Sequence, residues 1–108
     1  MGQSLGELEQ LVLLALLRLG QEGYGIAVQR EIESTASRAV TLGAIYSTLN
    51  RLEEKGLVDS RVGAPAPVRG GRRKKLYQVQ PAGRQALRDA LGALRALSHG
   101  LSPLLDVL

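Results

Sequence analysis

The sequence predicts a single, mainly α-helical domain with a small β-hairpin. Its 108 residues are enough for one hydrophobic core of ordinary size. Three tyrosines are its only aromatic residues, so Leu, Val, Ile and Ala must fill that core, and this composition favours helices over a large sheet. A stretch rich in glycine and proline lies between two short apolar runs, which is the pattern of a hairpin with a long loop.

The first helix is predicted over about 5–19. Ser4 followed by Glu7 forms a capping-box pattern, in which the hydroxyl and the carboxylate each satisfy a backbone donor. Apolar residues recur every three or four positions, and Leu13 and Leu17 belong to a second apolar flank. This apolar surface is wider than one core face requires, so we expect part of the helix to meet a partner subunit.

Second and third helices are predicted over about 24–35 and 42–55. Thr41 is a good N-cap for the third helix, and Gly56 is a good stop. The apolar residues of the third helix form one stripe that we expect to be buried: Leu42, Ile45, Leu49 and Leu52. We expect its opposite, polar side to hold Ala44, Ser47, Thr48, Arg51 and Lys55.

A hairpin and a last helix complete the predicted elements. Residues 57–62 and 75–79 are predicted to be short strands on either side of the loop. Pro81 suits the first turn of a helix that runs to about Ser98, and Gly100 argues against its continuation. The apolar seam of this helix consists of Leu87, Leu91 and Leu94, with Leu97 beside it.

Basic residues are concentrated in the hairpin. The fifteen residues 61–75 contain no acidic residue and six basic ones: Arg61, Arg69, Arg72, Arg73, Lys74 and Lys75. The whole chain has 14 Lys and Arg residues and 10 Asp and Glu residues. Without residues 61–75, 8 basic residues and 10 acidic residues remain, which is a formal charge of −2. Such local charge indicates a polyanion partner, most commonly nucleic acid, and the alternative is a solvated loop.

Several classes of function find no support in the sequence. The absence of cysteine excludes disulfides, zinc–thiolate sites and cysteine nucleophiles, and it is compatible with the cytoplasmic location that we expect. The longest apolar run is too short for a membrane span, so no membrane partner is expected. His99 stands alone, and no nucleophile with a base or phosphate-binding loop is visible, so we expect no metal, cofactor or enzyme activity.

The element order is that of a winged helix-turn-helix domain with an added C-terminal dimerisation helix. We assign 1–80 to the DNA-binding domain and 81–108 to the dimerisation helix and tail. In such domains the third helix enters the DNA major groove and the hairpin, called the wing, lies against the neighbouring backbone. The helix 42–55 is therefore predicted to read double-stranded DNA, and the wing 61–75 to hold its backbone.

Candidate DNA contacts follow from side-chain size and charge. Short side chains let the third helix approach base edges, and these are Ala44, Ser47 and Thr48. Arg51 can pair with guanine or phosphate, and Thr41 lies at the positive helix N-terminus, facing phosphate. Wing contacts to the backbone fall to Arg69, Arg72, Arg73, Lys74 and Lys75. The alternative for the third helix is a face that is merely exposed to solvent.

Several spaced motifs make the pattern more specific. They are LGELEQLVLLALL at 5–17, YG at 24–25, VTLGAIY at 40–46, LNRLEEKGLV at 49–58, and YQV at 77–79 with Gly83. In this order the motifs resemble those of PadR-type transcriptional regulators. The resemblance extends over about 5–87, which is most of the chain.

This resemblance implies a dimeric winged-helix repressor that binds a pseudo-palindromic operator. It also implies that the two chains of the dimer contact each other through the last helix, with help from the first helix. It also implies that Tyr46 directs its hydroxyl to the DNA backbone and that Gly43 permits close approach to DNA. From the residues alone, Tyr46 has an alternative place at the core edge between the third and first helices. Tyr77, on the second strand, is expected to pack the hairpin onto the helices.

The chain departs from the usual family pattern at several places: the usual tryptophan after the first wing strand is absent, Gln80 stands where a threonine usually precedes the last helix, and two further departures lie in the second and third helices. Ile26 and Ala27 stand where the family usually has an aromatic residue and a glutamate, and Ser47 and Thr48 follow Tyr46 where proline is usual. The fold is unaffected by these differences. The operator sequence is expected to differ from those of other family members, because Ser47 and Thr48 belong to the face expected to read it.

Six leucines form the predicted dimer interface: Leu13, Leu17, Leu87, Leu91, Leu94 and Leu97. The alternative is that the seam of the last helix packs only on its own first helix. The resemblance leaves room for an unidentified small-molecule inducer in a cavity between the first and last helices of a dimer. A different function, that of an interaction adaptor for an acidic partner protein, would keep the same winged fold.

Overall fold

The computed structural model describes residues 4–65 and 73–106. In chain order the elements are α1 (Glu7–Leu19), α2 (Gly25–Ala36), α3 (Leu42–Glu54), β1 (Val58–Pro65), β2 (Arg73–Val79), α4 (Pro81–Ser98) and α5 (Ser102–Asp106). The two strands form an antiparallel hairpin. The predicted mainly α fold with a small hairpin is therefore confirmed.

The core forms where α1, α2 and α3 pack together and the base of the hairpin closes over them. All three of these helices, the hairpin and α4, through Leu87, contribute aliphatic side chains to the core, as the scarcity of aromatic residues predicts. The largest fully buried apolar side chains are Val12, Leu13, Val28, Ile32, Ile45, Leu49 and Leu52. One face of α3 is thus wholly inside, which leaves its opposite face to solvent.

The start of α1 differs from the prediction of a cap by Ser4 and Glu7. Gly6 is the N-cap, and its backbone N–H donates to Glu9 Oε1 at 2.9 Å. Glu9 takes this position because its carboxylate is buried beside Lys55, whose Nζ donates to Glu9 Oε2 at 2.7 Å. A tertiary ion pair between α1 and the end of α3 therefore decides where α1 begins.

The hairpin pairs Val58 with Val79 at its base and Val62 with Lys75 further out, with a register shift beyond Val62. The outer edge of β2 is also satisfied, since the Tyr77 N–H donates to the Gly23 carbonyl at 2.8 Å. The Tyr77 side chain is buried, as predicted, and burial raises the pKa of its phenol. These contacts fix the base of the wing to the helical body.

Only the part of α4 up to Leu91 packs on the body. Pro81 occupies its first turn, as predicted, and Gly83 lies so close to the Leu57 carbonyl that a Cβ there would come within 2.2 Å of the oxygen. Beyond Leu91 every residue of α4 is exposed, and the chain turns at Gly100 before α5. Among the described residues, no helix combines the length and apolar character needed to cross a membrane.

The Glu9–Lys55 pair yields a prediction for stability. Burial alone would raise the pKa of the Glu9 carboxyl, but hydrogen bonds from Lys55 and Gly6 and the nearby Lys55 and Arg51 charges hold that pKa below its usual value. Because the pKa is lower in the folded state, the stabilisation is present above the unfolded pKa and is lost as pH falls through the folded pKa.

We therefore expect Glu9→Gln to lower the free energy of unfolding by about 1–3 kcal/mol at pH 7, since it leaves Lys55 without its charged partner. Urea denaturation at pH 7 and at pH 3 measures this, and the difference from wild type should shrink at pH 3. Glu7→Gln is the matched control, because the Glu7–Arg38 pair is exposed to solvent. Equal losses in the two variants at pH 7 would contradict the prediction.

Candidate nucleic-acid interface

The outward face of α3 begins at a side-chain cap. The Thr41 hydroxyl oxygen accepts a hydrogen bond from the Ala44 backbone N–H at 3.1 Å, so Thr41 is the N-cap as predicted. Residues exposed along α3 recur every three or four positions, which places them on one face: Gly43, Tyr46, Ser47, Asn50, Arg51 and Glu54. This face is the largest polar surface that α3 offers to a ligand.

Thr48 does not belong to the exposed face, so the prediction that it reads DNA bases is wrong. Its side chain is 1 % exposed. The hydroxyl donates to the Ala44 carbonyl at 2.8 Å and accepts from the Arg51 guanidinium at 3.3 Å. A hydroxyl that is fully engaged inside the protein has no atom to offer to a base edge.

Asn50 is exposed on this face and was missed by the sequence analysis. The predicted polar side was centred too close to α1, where Thr48 is buried and Lys55 is bound to Glu9. The signal was present, because Asn50 follows Ser47 by three residues and Gly43 by seven. An asparagine amide carries both a donor and an acceptor, which is the set that the major-groove edge of adenine requires.

Arg51 lies at the edge of the exposed face that is nearer to α1. Its guanidinium contacts the Thr48 hydroxyl, and its charge helps to lower the pKa of Glu9. The side chain is nevertheless exposed. It is therefore a cation held at the flank of α3 rather than at the centre of the face.

Tyr46 lies at the opposite flank, against the start of α2 and not against α1. Its side chain is 39 % exposed. The ring is so close to Gly25 that a Cβ on that residue would be 2.4 Å from Tyr46 Cζ and 2.6 Å from the hydroxyl oxygen. The alternative place between the third and first helices is therefore wrong, and the phenol sits beside the N-terminus of α2.

The base of the wing presents two lysines that are already in contact with the body. Lys74 Nζ lies 4.1 Å from the centroid of the Tyr24 ring, which is cation–π geometry. Lys75 Nζ lies 3.7 Å from Glu53 Oε1 and 5.4 Å from the Tyr77 ring centroid. Both lysines remain exposed, so one ammonium group stays accessible beside Tyr24 at the start of α2 and the other beside Glu53 of α3.

The other predicted wing contacts lie at the edge of the described residues or outside them. Arg73 opens β2, whereas Arg69 and Arg72 lie outside the described residues. His99 caps the end of α4 and is exposed. Within 4–65 and 73–106, no group of three or more His, Asp or Glu side chains is placed to hold a metal ion.

The six leucines predicted for a dimer interface fall into three groups. Leu13 and Leu87 are 0 % and 4 % exposed in the core of the single chain, so their assignment to an interface is wrong. Leu91 is partly buried against that core, whereas Leu17, Leu94 and Leu97 are exposed. Between the start of α1 and α4 runs an open groove of about 450 Å³, lined in part by Leu94 and Leu97.

Three packed helices, a two-stranded wing and an exposed polar face on the third helix define a winged helix-turn-helix protein. Residues 13–89 match the sequence model described as the transcriptional regulator PadR-like family. The chain belongs to this family, which is one of transcriptional regulators and not of enzymes. The family resemblance of the motifs is thereby confirmed.

One relative agrees with this assignment in sequence, and two solved structures share the fold. The chain is 36 % identical over 78 residues to the transcriptional regulator Rv3488 of Mycobacterium tuberculosis, which covers 72 % of this chain and 68 % of that protein. A PadR family transcription regulator from Clostridium difficile R20291 superposes with a TM-score of 0.73 at 24 % identity, covering 93 % of this chain and 99 % of the other. Bacillus subtilis PadR, solved in complex with operator DNA, superposes with a TM-score of 0.66 at 24 % identity, and the match covers 79 % of this chain and 46 % of that chain.

The contact between Tyr46 and Gly25 can be tested by adding one methyl group. We expect Gly25→Ala to lower the free energy of unfolding by about 1–3 kcal/mol, because the new Cβ forces the Tyr46 ring to move. Gly43→Ala is the control, since nothing lies within 4 Å of its added Cβ and alanine favours helix by up to about 1 kcal/mol. Urea denaturation measures the free energy of unfolding of both variants. Equal values for Gly25→Ala and Gly43→Ala would contradict the close contact between Tyr46 of α3 and Gly25 of α2.

Proposed function

We propose that the protein is a dimeric repressor that acts in the cytoplasm on a pseudo-palindromic DNA operator. In this proposal α3 enters the major groove and the wing, residues 61–75, lies on the backbone. The observation that carries it is the exposed α3 face of small and hydrogen-bonding residues, together with the exposed lysines of β2, of which Lys75 lies beside Glu53 of α3. The similar fold of Bacillus subtilis PadR, which was solved in complex with operator DNA, supports DNA binding by this fold.

Base reading is assigned to the centre of the α3 face. Gly43 adds no side chain there, so the helix can come close to the floor of the groove. Ser47 and Asn50 lie one turn apart and offer a hydroxyl and an amide to base edges. Ala44 and Arg51 lie nearer to α1, and from there the Arg51 guanidinium can reach a guanine or a phosphate at the side of the groove.

Backbone contacts are assigned to the flanks of the face. The Tyr46 hydroxyl lies at the N-terminus of α2, and Thr41 lies at the N-terminus of α3. Helix N-termini carry partial positive charge, so both hydroxyl groups sit where a phosphate is favoured. The wing adds the cations at Arg69, Arg72, Arg73, Lys74 and Lys75.

Dimerisation is assigned to the outer half of α4, which leaves Leu94 57 % and Leu97 80 % exposed. Large apolar side chains on a helix that extends beyond its own core favour a partner helix. A two-fold dimer would present two α3 helices to half-sites about 34 Å apart, one DNA turn. The groove beside α4 is also where an inducer would bind, if the dimer leaves part of it open.

The wing is tested through salt dependence. The logarithm of the association constant falls with the logarithm of salt by about 0.9 for each phosphate contact. We expect replacement of Arg72, Arg73, Lys74 and Lys75 by Ala to flatten this slope, measured by fluorescence anisotropy with operator DNA. The control removes Arg84 and Arg88, which are exposed on the half of α4 that is not assigned to dimerisation. An unchanged slope in the wing variant would refute the backbone role of the wing.

The operator is tested by selecting bound DNA from a random library. We expect an inverted repeat, because a two-fold dimer presents the same face to each half-site. A selected motif without two-fold symmetry would overturn the dimeric operator. Failure to enrich any sequence at low salt would overturn specific DNA binding itself.

Repeating the selection with Asn50→Ala separates base reading from charge. We expect the variant to lose discrimination at one base pair in each half-site, by about 1–3 kcal/mol, with the other positions unchanged. Lys74→Ala is the comparison, and it should weaken binding to all sequences alike. A uniform loss in Asn50→Ala would assign this residue to the backbone instead.

A further inference from the structure

Thr48 is unusual among the buried side chains of the body. In the described part of the chain, the buried polar or charged side chains are those of Glu9 and Thr48. A valine would fill the space of Thr48 without a polar atom, and a threonine hydroxyl that bonds back to the carbonyl four residues earlier does not strengthen a helix. The Thr48 hydroxyl therefore calls for a role other than packing.

The Thr48 hydroxyl has a fixed orientation. It donates its single proton to the Ala44 carbonyl at 2.8 Å, so the lone pairs of its oxygen are directed away from that carbonyl. Nη2 of Arg51 donates to this oxygen at 3.3 Å. Thr48 thus offers Arg51 an acceptor whose position is set by the core.

The Arg51 guanidinium has no ionic anchor within residues 4–65 and 73–106. The Glu9 carboxylate is near enough to interact with the Arg51 charge, but its ion pair is with Lys55, at 2.7 Å. The bond to Thr48 engages one of the five N–H groups of a guanidinium and leaves the others for a ligand. A long side chain that is already held at one point loses less rotamer entropy when it binds.

We propose that Thr48 is a positioning residue for DNA recognition: its buried hydroxyl oxygen holds the Arg51 guanidinium at the α1 flank of α3, in place to contact a guanine or a phosphate. The proposal rests on the DNA contact that the proposed function assigns to Arg51. Thr48 acts through Arg51 and does not touch DNA, so this role differs from the base reading that the sequence predicts. A residue inside the core then contributes to the affinity for the operator.

A double-mutant cycle on operator DNA tests this role. Thr48→Val keeps the shape of the side chain and removes the hydroxyl, and Arg51→Ala removes the group that is positioned. We expect Thr48→Val to raise the Kd by about three- to tenfold, the equivalent of one typical hydrogen bond. In the Arg51→Ala background the same change should alter the Kd by less than about twofold, because the effects of coupled residues do not add.

Thr48→Ser is the matched control, because it removes the methyl group and keeps the hydroxyl. We expect its Kd to stay within about twofold of the wild-type value, since the acceptor for Arg51 remains. Its free energy of unfolding should fall, because the lost methyl group leaves a small cavity. Binding is compared at a temperature at which urea denaturation shows every variant to be folded.

A measurement on the wild-type protein does not depend on the folding of any variant. NMR relaxation of the arginine Nε–H groups, recorded without DNA, compares Arg51 with Arg84, which is exposed on α4. We expect a higher order parameter for Arg51, because one end of its guanidinium is held by Thr48. An Arg51 side chain as mobile as that of Arg84 would overturn the positioning role.

The remaining outcomes distinguish this role from the proposed function. An equal loss from Thr48→Val with and without the Arg51 side chain, or no loss at all, would overturn the positioning role and leave DNA binding intact. Equal losses of binding in Thr48→Ser and Thr48→Val would also overturn it, because the methyl group would then matter as much as the hydroxyl. A wild-type protein that enriches no DNA sequence would overturn both the proposed function and the positioning role.

Discussion

The burial of one side of α3 is the constraint on which the rest of the structure depends. Ile45, Leu49 and Leu52 are fully inside the core, and their spacing leaves only the opposite side for solvent. Two contacts fix the rotation of the helix about its axis, the Tyr46 ring on Gly25 near its start and the Lys55 ion pair with Glu9 at its end. A rotation by one residue position would break both contacts at once.

Much of this arrangement could be predicted from local chemistry. The Thr41 cap, the stop at Gly56 and Pro81 in the first turn of α4 depend on backbone preferences of single residues, and these act in the same way in any protein. The α1 cap could not be predicted, because a carboxylate that is drawn inward by Lys55 overrides the local Ser4 and Glu7 pattern.

The interface faces were harder to predict, for two physical reasons. Tertiary neighbours decide which side of a helix is exposed. Thr48 can therefore be buried despite its polarity, because its hydroxyl donates to the Ala44 carbonyl. Asn50 then lies on the exposed side. The periodicity of apolar residues also does not reveal whether they pack in the core of their own chain or against a partner chain. Leu87 and Leu94 belong to the same seam of α4, yet the first completes the core of its own chain and the second is exposed.

The two lysines of β2 are held before any ligand arrives. Lys74 rests on the Tyr24 ring and Lys75 lies beside Glu53, so their long side chains have already lost part of the rotamer entropy that binding would otherwise remove. Glu53 also offsets some of the charge that Lys75 presents. The stem of the wing therefore presents two partly pre-ordered cations of modest effective charge, and in the proposed complex with DNA this would favour a fixed distance between α3 and the flanking phosphates.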